Sequence, residues 1–484
     1  MSRKRAALSL LCAAAALAGA PARPAAQTPA QPQSPPPPPP TRVDAPRVAW
    51  RERTLPNGLR VFSIQDRATP TVAVQTWYGF GDRDDPPGRN GLSHLIEHLM
   101  FQGSRNVGPS EAVFLAEDAG WPNFPGSQSD NSQDAIRVYQ AVPSSMLERF
   151  LWAEADRLRG LVVNDSVLAV ERQSVDEEIR RIILNPPQGS FPYAVQRASY
   201  ARHPYRNPDR GTVEEVAAIT MEDVRAHVAK FFRPDNAVLV VVGDFDPAQL
   251  DRLVDRHFGP IPRPAAPLQR AKVEEPARTA PLRVIDYGRV QDPAVAITFQ
   301  VPGWGSPDIA VLRVVREILG PRLNNAVVGG QRTATRAAAS LLEYEEPSTF
   351  VLEAFGARGA TADTLEKALR AELARMRDEP VQEPGLTRIK NLLATDQLRQ
   401  MDGNMGKADA LGRAVMVARD PARINTTVAQ IQAVTADDIR RVLRQYASDE
   451  RLMTLHYLPQ SARPAQGATS SNQSAPGARE GGDR

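Results

Sequence analysis

The chain has 484 residues, 42% of them hydrophobic and 24% charged, a globular composition long enough for two to four domains and incompatible with wholesale disorder. Its formal charge of +3 is carried by the first residues: without Arg3, Lys4 and Arg5, 56 basic residues face 56 acidic ones. No argument for nucleic acid or another polyanion as a partner survives that subtraction.

The N-terminus has the three parts of a secretory signal: basic Arg3 to Arg5, an apolar run from Ala6 to Ala18, and small residues up to Ala22. Cleavage is expected after Ala22, although Ala26 would also serve. The apolar run is too short to span a bilayer, and no later stretch approaches about 20 uninterrupted apolar residues, so no transmembrane segment is expected. Cys12, the only cysteine, lies inside this signal; the exported chain therefore has no disulfide and no thiol nucleophile. Residues 23–47 are rich in Pro, Ala and Gln, with six prolines from Pro35 to Pro40, which favours an extended spacer.

Leu59 to Ile64 and Val72 to Tyr78 alternate as strands do and are expected to form the hairpin that opens the first half, with Asn57-Gly58 supplying a turn before them. A helix is expected from about Ser145, with Glu148 completing its capping box, and another from Asp165 past Ile183 until Pro186-Pro187 end it. Thr220-Met221-Glu222-Asp223 leads into a helix and then a strand at Ala237 to Val242, and Thr435-Ala436-Asp437-Asp438 does so again before Leu452 to Tyr457. Each Thr with an Asp three residues on is a variant capping box, and the recurrence predicts a duplicated α/β unit. Residues 263–281, rich in Pro, Ala and Glu, read as a linker between the copies, and residues 460–484 as a disordered tail.

Two of six histidines fall in Gly91-Leu92-Ser93-His94-Leu95-Ile96-Glu97-His98-Leu99-Met100-Phe101. Positions four apart share a helix face, so His94 and His98 can address one metal ion with Glu97 bordering it. Burying three ionisable groups on an apolar helix is costly without a cation between them. A third ligand is expected from Glu171 to Glu178, whose end residues lie two turns apart; one of the pair can bind the metal while the other orients a ligand. The remaining histidines attract less notice: His227 and His257 read as surface or partner-facing, and His203 and His456 have no carboxylate or histidine at metal-site spacing. Gly303-Trp304-Gly305 reads as a plain turn.

The H-x-x-E-H string, Glu171-Arg172-Gln173-Ser174-Val175-Asp176-Glu177-Glu178, His203-Pro204-Tyr205, Arg233-Pro234-Asp235-Asn236, Val240-Val241-Val242-Gly243-Asp244 and Phe258-Gly259-Pro260-Ile261-Pro262 together resemble the M16 family of zinc metallopeptidases. Within this pitrilysin or inverzincin family, the chain resembles the bacterial two-domain members related to mitochondrial processing peptidase. The resemblance implies one Zn2+ per chain on His94, His98 and Glu178, Glu171 in support behind a ligand, and Glu97 as general base of an exported metalloendopeptidase. It further implies an α+β fold of two homologous halves, 48–262 with the zinc site and 282–459 as the inactive half, forming one wall of a clam-shaped chamber. The implied substrates are peptides or unfolded segments, the implied assembly a homodimer or a heterodimer with a related chain, and the implied location the periplasm.

Asn123 and Arg322 are the substrate-binding residues that the resemblance suggests. The family's Gly-Gly-x-x-Asn-Ala is replaced here by Gly120-Trp121-Pro122-Asn123-Phe124-Pro125, and its second-half tyrosine falls near Thr335, with Tyr344 the nearest tyrosine. The second half has no H-x-x-E-H of its own. The alternative from another class is a non-catalytic scaffold or peptide-binding subunit that serves a partner chain.

Overall fold

The structure, a computed structural model, describes residues 42–109, 111 and 128–464. The expected signal, most of the Pro-rich spacer, most of the expected tail and Asn123 lie outside the described residues. The first half runs β1 (Arg51–Thr54), β2 (Arg60–Gln65), β3 (Thr71–Tyr78), α1 (Leu92–Leu99), β4 (Gln128–Asn131), β5 (Ile136–Pro143), α2 (Leu147–Arg159) and α3 (Asp165–Ile179). It continues with α4 (Phe191–Ser199), α5 (Val213–Ala218), α6 (Met221–Phe231), β6 (Ala237–Gly243) and α7 (Pro247–Phe258). The second half runs β7 (Leu282–Gly288), β8 (Ala294–Val301), α8 (Asp308–Leu323), β9 (Ala334–Leu342), β10 (Ser348–Gly356), α9 (Ala362–Asp378) and α10 (Glu383–Gln400). It closes with α11 (Gly403–Met416), α12 (Arg423–Ala433), α13 (Ala436–Tyr446) and β11 (Met453–Pro459).

Duplication is visible in the strand order. The first sheet is β1-β2-β6-β3-β5-β4 and the second β7-β11-β8-β10-β9. With β1 set aside, each half places its strands in the order first, last, second, fourth, third. Each sheet also has one parallel pair, β2 with β6 and β7 with β11, in an otherwise antiparallel ladder. Both expected capping boxes form. The Asp223 N–H donates to Thr220 Oγ1 at 3.1 Å, and the Thr220 N–H donates back to Asp223 Oδ2 at 2.8 Å. Thr435 and Asp438 repeat this at 3.1 Å in both directions.

Two local expectations are corrected. The hairpin that uses the Asn57-Gly58 turn joins β1 to β2, while β6 lies between β2 and β3. Alternation marks a strand but does not choose its neighbour. All seven residues of β6 are buried, so its two apolar faces demand a central place, which it takes. Glu148 caps nothing: a 3-10 turn over Ser144–Met146 leads directly from β5 into α2, and the Leu147 N–H is satisfied by the Ser144 carbonyl.

The halves exchange helices. α11 of the second half lies on the first sheet, where Leu411, Val415 and Met416 share an apolar cluster with Phe62, Trp77, Val240 and Val242. Gly412 is required there, because a Cβ at that position would sit 2.2 Å from Nε1 of Trp77. Reciprocally, α4 of the first half lays Phe191, Ala194 and Val195 on the second sheet beside Ala294, Ala296, Phe355 and Leu455. Each sheet is thus covered by its own helices on one face and by a helix of the other half on the second, which explains strands apolar on both sides.

Residues 263–281 form neither helix nor strand. They are nevertheless anchored, since the Glu275 carboxylate accepts the backbone N–H groups of Ala201, Arg202 and His203 at 2.6, 2.9 and 2.7 Å. His203 is buried, with Nε2 2.7 Å from Glu346, a partner far away in sequence. His456 likewise finds Glu366 at 2.8 Å. Glu366 is already held by Arg283 and Arg370 at 2.6 and 2.7 Å, so this acidic group is neutralised by cationic side chains.

Candidate metal centre

The N-terminus of α1 is set by residues that come before it. Asp85 accepts the backbone N–H groups of Gly91 and Ser93 at 2.8 and 2.9 Å and the Ser93 hydroxyl at 2.7 Å. A carboxylate on the first free N–H groups of a helix suits their partial positive charge. Burial nonetheless pushes Asp85 up to about 7, against the lowering effect of these hydrogen bonds. Gly91 itself has φ 91°, and a Cβ there would lie 2.3 Å from the Arg210 carbonyl oxygen. The start of α1 and the loop at Arg210 are therefore pressed together.

Every residue of α1 except His98 is buried, and its polar face looks at α3. Asn164 caps α3 by accepting the Val167 N–H at 3.0 Å, and a π turn over Arg180–Leu184 follows directly. From α3, Oε2 of Glu178 lies 3.3 Å from Nε2 of His94 and 3.4 Å from Nε2 of His98. On the far side of the second ring, Nδ1 of His98 lies 3.0 Å from Oε2 of Glu171. Glu97 Oε2 is 3.1 Å from Nδ1 of His94. The structure therefore gathers His94, Glu97, His98, Glu171 and Glu178 into one cluster.

Three carboxylates around two imidazoles favour positive charge at the centre. Burial opposes charge on His98, but hydrogen bonds to Glu171 and Glu178 more than reverse it and lift the ring to about 9. His94 is raised in the same way by Glu178 and Glu97 against burial. The two histidines hold Glu178 far below the usual carboxylate range, with Arg210 adding to them.

The donor set fits a zinc ion. A tetrahedral ion with ligand atoms at about 2.0–2.1 Å sets those atoms roughly 3.3–3.4 Å apart, and the two nitrogen-to-oxygen separations match. Ligand atoms of His94, His98 and Glu178 all lie within 4.8 Å of one another. Two imidazoles with one carboxylate is a combination that suits zinc and leaves a fourth position open.

Comparison with known proteins gives the family. Residues 60–213 match the family described as Insulinase (Peptidase family M16), and residues 218–393 match the Peptidase M16 inactive domain. The chain belongs to the M16 peptidase family. It is 24% identical over 416 residues to the zinc protease PqqE of Helicobacter pylori, covering 84% of this chain and 92% of that one. It is 24% identical to the probable mitochondrial-processing peptidase subunit beta of Arabidopsis thaliana over 83% of this chain and 76% of that one. Among solved structures, a protease from Helicobacter pylori matches with a TM-score of 0.79 at 23% identity, covering 85% of this chain and 100% of the other. The periplasmic protease PqqL from Escherichia coli matches with a TM-score of 0.70 at 16% identity, covering 86% and 48%. These likenesses show a shared fold.

Other expected residues fall elsewhere. Arg322 lies in the last turn of α8, and none of the hydrogen bonds or ion pairs of the five clustered residues reaches it. Tyr344 packs its ring against Tyr205, with centroids 4.5 Å apart. His227 corrects its reading as a surface residue: it is 4% exposed, lies between Phe80 and Phe231, and is pushed down to about 3 by burial. Its place on α6 faces the core because α6 packs against α1.

Sequence reasoning missed Arg210, which donates from Nε to Glu178 Oε1 at 2.8 Å from a backbone with φ 67°. Nothing in the local pattern around Arg210 signals this, because Gly91 and Glu178 become its neighbours only in three dimensions. Asp85 was legible in principle, since the string Asp82-Arg83-Asp84-Asp85 ends six residues before the helix.

Proposed function

We propose that this chain is an exported zinc metalloendopeptidase that hydrolyses peptides or unfolded segments. The observation that carries the reading is the convergence of both Nε2 atoms on one oxygen of Glu178 at 3.3 and 3.4 Å, the spacing a tetrahedral ion needs. His94, His98 and Glu178 hold the ion, and Glu171 fixes the His98 ring through Nδ1. When bound, zinc supplies Lewis acidity to the attacking water and to the peptide carbonyl. Glu97 takes a proton from that water as its oxygen bonds to the carbonyl carbon, then passes the proton to the leaving amine nitrogen as the C–N bond breaks.

The proposed organisation follows the sequence: a signal over 1–22, a spacer over 23–47, a zinc-binding half over 48–262, a linker over 263–281, an inactive half over 282–459 and a tail over 460–484. No helix among the described residues is long and apolar enough to cross a membrane, and the periplasmic PqqL has the same fold; both are consistent with a periplasmic protein. The two halves would form one wall of a clam-shaped chamber completed by a second copy or a related chain. A chamber of this kind admits an extended peptide as an added strand. Asn123 and Arg322 are proposed as its substrate contacts. The name of the second matched domain leaves open one further reading, a non-catalytic M16-like scaffold or peptide-binding subunit that needs or serves a partner chain.

The test is zinc content and cleavage of a quenched fluorogenic peptide library by the mature chain beside Glu97→Gln. The expected result is about one zinc per chain in both proteins and cleavage by the wild type alone. Zinc without cleavage in either protein supports the non-catalytic reading, and absence of bound zinc overturns both.

A further inference from the structure

With β1 again set aside, topological equivalence pairs α8 with α1, since each follows the second strand of its half, and pairs α10 with α3. Aligning the buried residues Leu92, Leu95, Ile96 and Leu99 with the buried Val311, Val314, Val315 and Ile318 puts Arg313, Arg316 and Glu317 at the places of His94, Glu97 and His98. The second half keeps a cavity at this counterpart of the metal centre, of about 540 Å3, lined by Trp304, Arg313, Arg316, Asp396, Arg413 and Arg423 among others. That volume lies within the range of small-molecule sites.

The acidic residues lining the cavity are already engaged. Glu343 is gripped by Arg313 at 2.6 Å, Asp396 is paired with Arg399, and Asp409 holds both Arg137 and Gln75. Arg316 is spent on Glu317 at 2.9 Å. What remains is a set of donors. The guanidinium of Arg413 makes no hydrogen bond or ion pair among the described residues and stacks over the Trp304 ring, 5.0 Å from its centroid. Nε of Arg423 and Nε1 of Trp304 are buried without a protein partner, in residues 7% and 8% exposed. The two buried donors without acceptors are costly, and Arg413, which is exposed, adds a cation to the same lining, so an oxyanion there would gain from both. Leu341, Leu393, Ile424 and Ile431 also line the cavity and give it an apolar part.

We propose that this cavity is a binding site for an organic oxyanion, a carboxylate or phosphate ester, held by Arg413, Arg423 and the Trp304 N–H with its apolar body against Ile424 and Ile431. The donors come from α11, α12 and the turn before α8, while the α8 residues at the places of His94, Glu97 and His98 are paired among themselves or with Glu343. The inference does not depend on the peptidase reading.

Isothermal titration of the full, zinc-loaded chain tests it, with benzoate as the carboxylate probe, phenyl phosphate as the phosphate probe, and sodium chloride at matched ionic strength as control. Saturable binding of at least one probe is expected, and the stronger of the two identifies the preferred oxyanion. Arg413→Gln should weaken that binding by about tenfold or more while leaving zinc content and melting temperature unchanged, because it removes an unpaired charge. Trp304→Phe, which keeps a ring and loses one donor, gives a second measure that does not rely on Arg413. Absence of saturable heat with both probes overturns the site, as does equal binding by wild type and both variants or an equal response to chloride.

Discussion

Nδ1 of His98 lies 3.0 Å from Glu171, which leaves Nε2 of the same ring to face Glu178 at 3.4 Å. A carboxylate behind a ligating histidine selects the tautomer and fixes the ring. Glu171→Ala is therefore expected to weaken zinc binding by about 10–100-fold, read by competition with a chromogenic chelator. Glu178→Ala should do worse, because it removes a ligand. Wild-type affinity in Glu171→Ala would show that the ring is held by packing alone.

Zinc affinity should rise with pH. Without metal, hydrogen bonds to Glu171 and Glu178 lift His98 to about 9, so this ring favours its protonated form at neutral pH, and His94 is shifted in the same direction by Glu178 and Glu97. A nitrogen that binds metal must first lose its proton, and zinc binding below about pH 9 therefore releases protons. Titrations in buffers of different ionisation enthalpy should show this release as a buffer-dependent heat at pH 7 that shrinks by pH 9. A buffer-independent heat at pH 7 would rule it out.

His227 ties stability to acid pH. Its folded value of about 3 lies below the unfolded 6.5, so the unfolded chain binds more protons between those values. The stability it contributes is complete above about pH 6.5 and falls as the pH drops towards 3, by about 1.4 kcal/mol per unit. His227→Phe, which suits the contact with Phe80 and Phe231, should unfold with a correspondingly shallower acid dependence in urea titrations from pH 4 to 7. Parallel curves for the two proteins would refute this.

Gly412 sets how closely the halves pack. An added Cβ would meet Trp77 Nε1 at 2.2 Å, so Gly412→Ala should destabilise by about 1–3 kcal/mol as an overpacked contact. Gly385 in α10 has open space at its Cβ position, and Gly385→Ala should be neutral or stabilise by about 0.4–1 kcal/mol. Thermal or urea unfolding separates the two. Equal effects would mean that α11 can shift away from the sheet.

The features legible in the chain are those whose partners lie within about one helical turn. His94, Glu97 and His98 share a face because of helical geometry alone, and Thr220 with Asp223 or Thr435 with Asp438 close a cap across three residues. The Asn57-Gly58 turn was legible too, whereas the strand that pairs beside it was not. His227 shows the limit: it stands on an amphipathic helix, yet only the packing of α6 against α1 decides which face is inside.

By itself, the sequence determined the helix that aligns His94, Glu97 and His98, the acidic helix of Glu171 and Glu178, the duplicated capping signal and the absence of a cysteine framework, because each depends on residue type and short spacing. Tertiary structure decided that β6 separates β2 from β3, that Arg210 braces Glu178, that each half lends a helix to the other's sheet, and that Arg413 meets Trp304. These contacts join residues from 32 to more than 300 positions apart. Their choice follows from which apolar faces can be buried together, a property of the assembled fold and not of any local pattern.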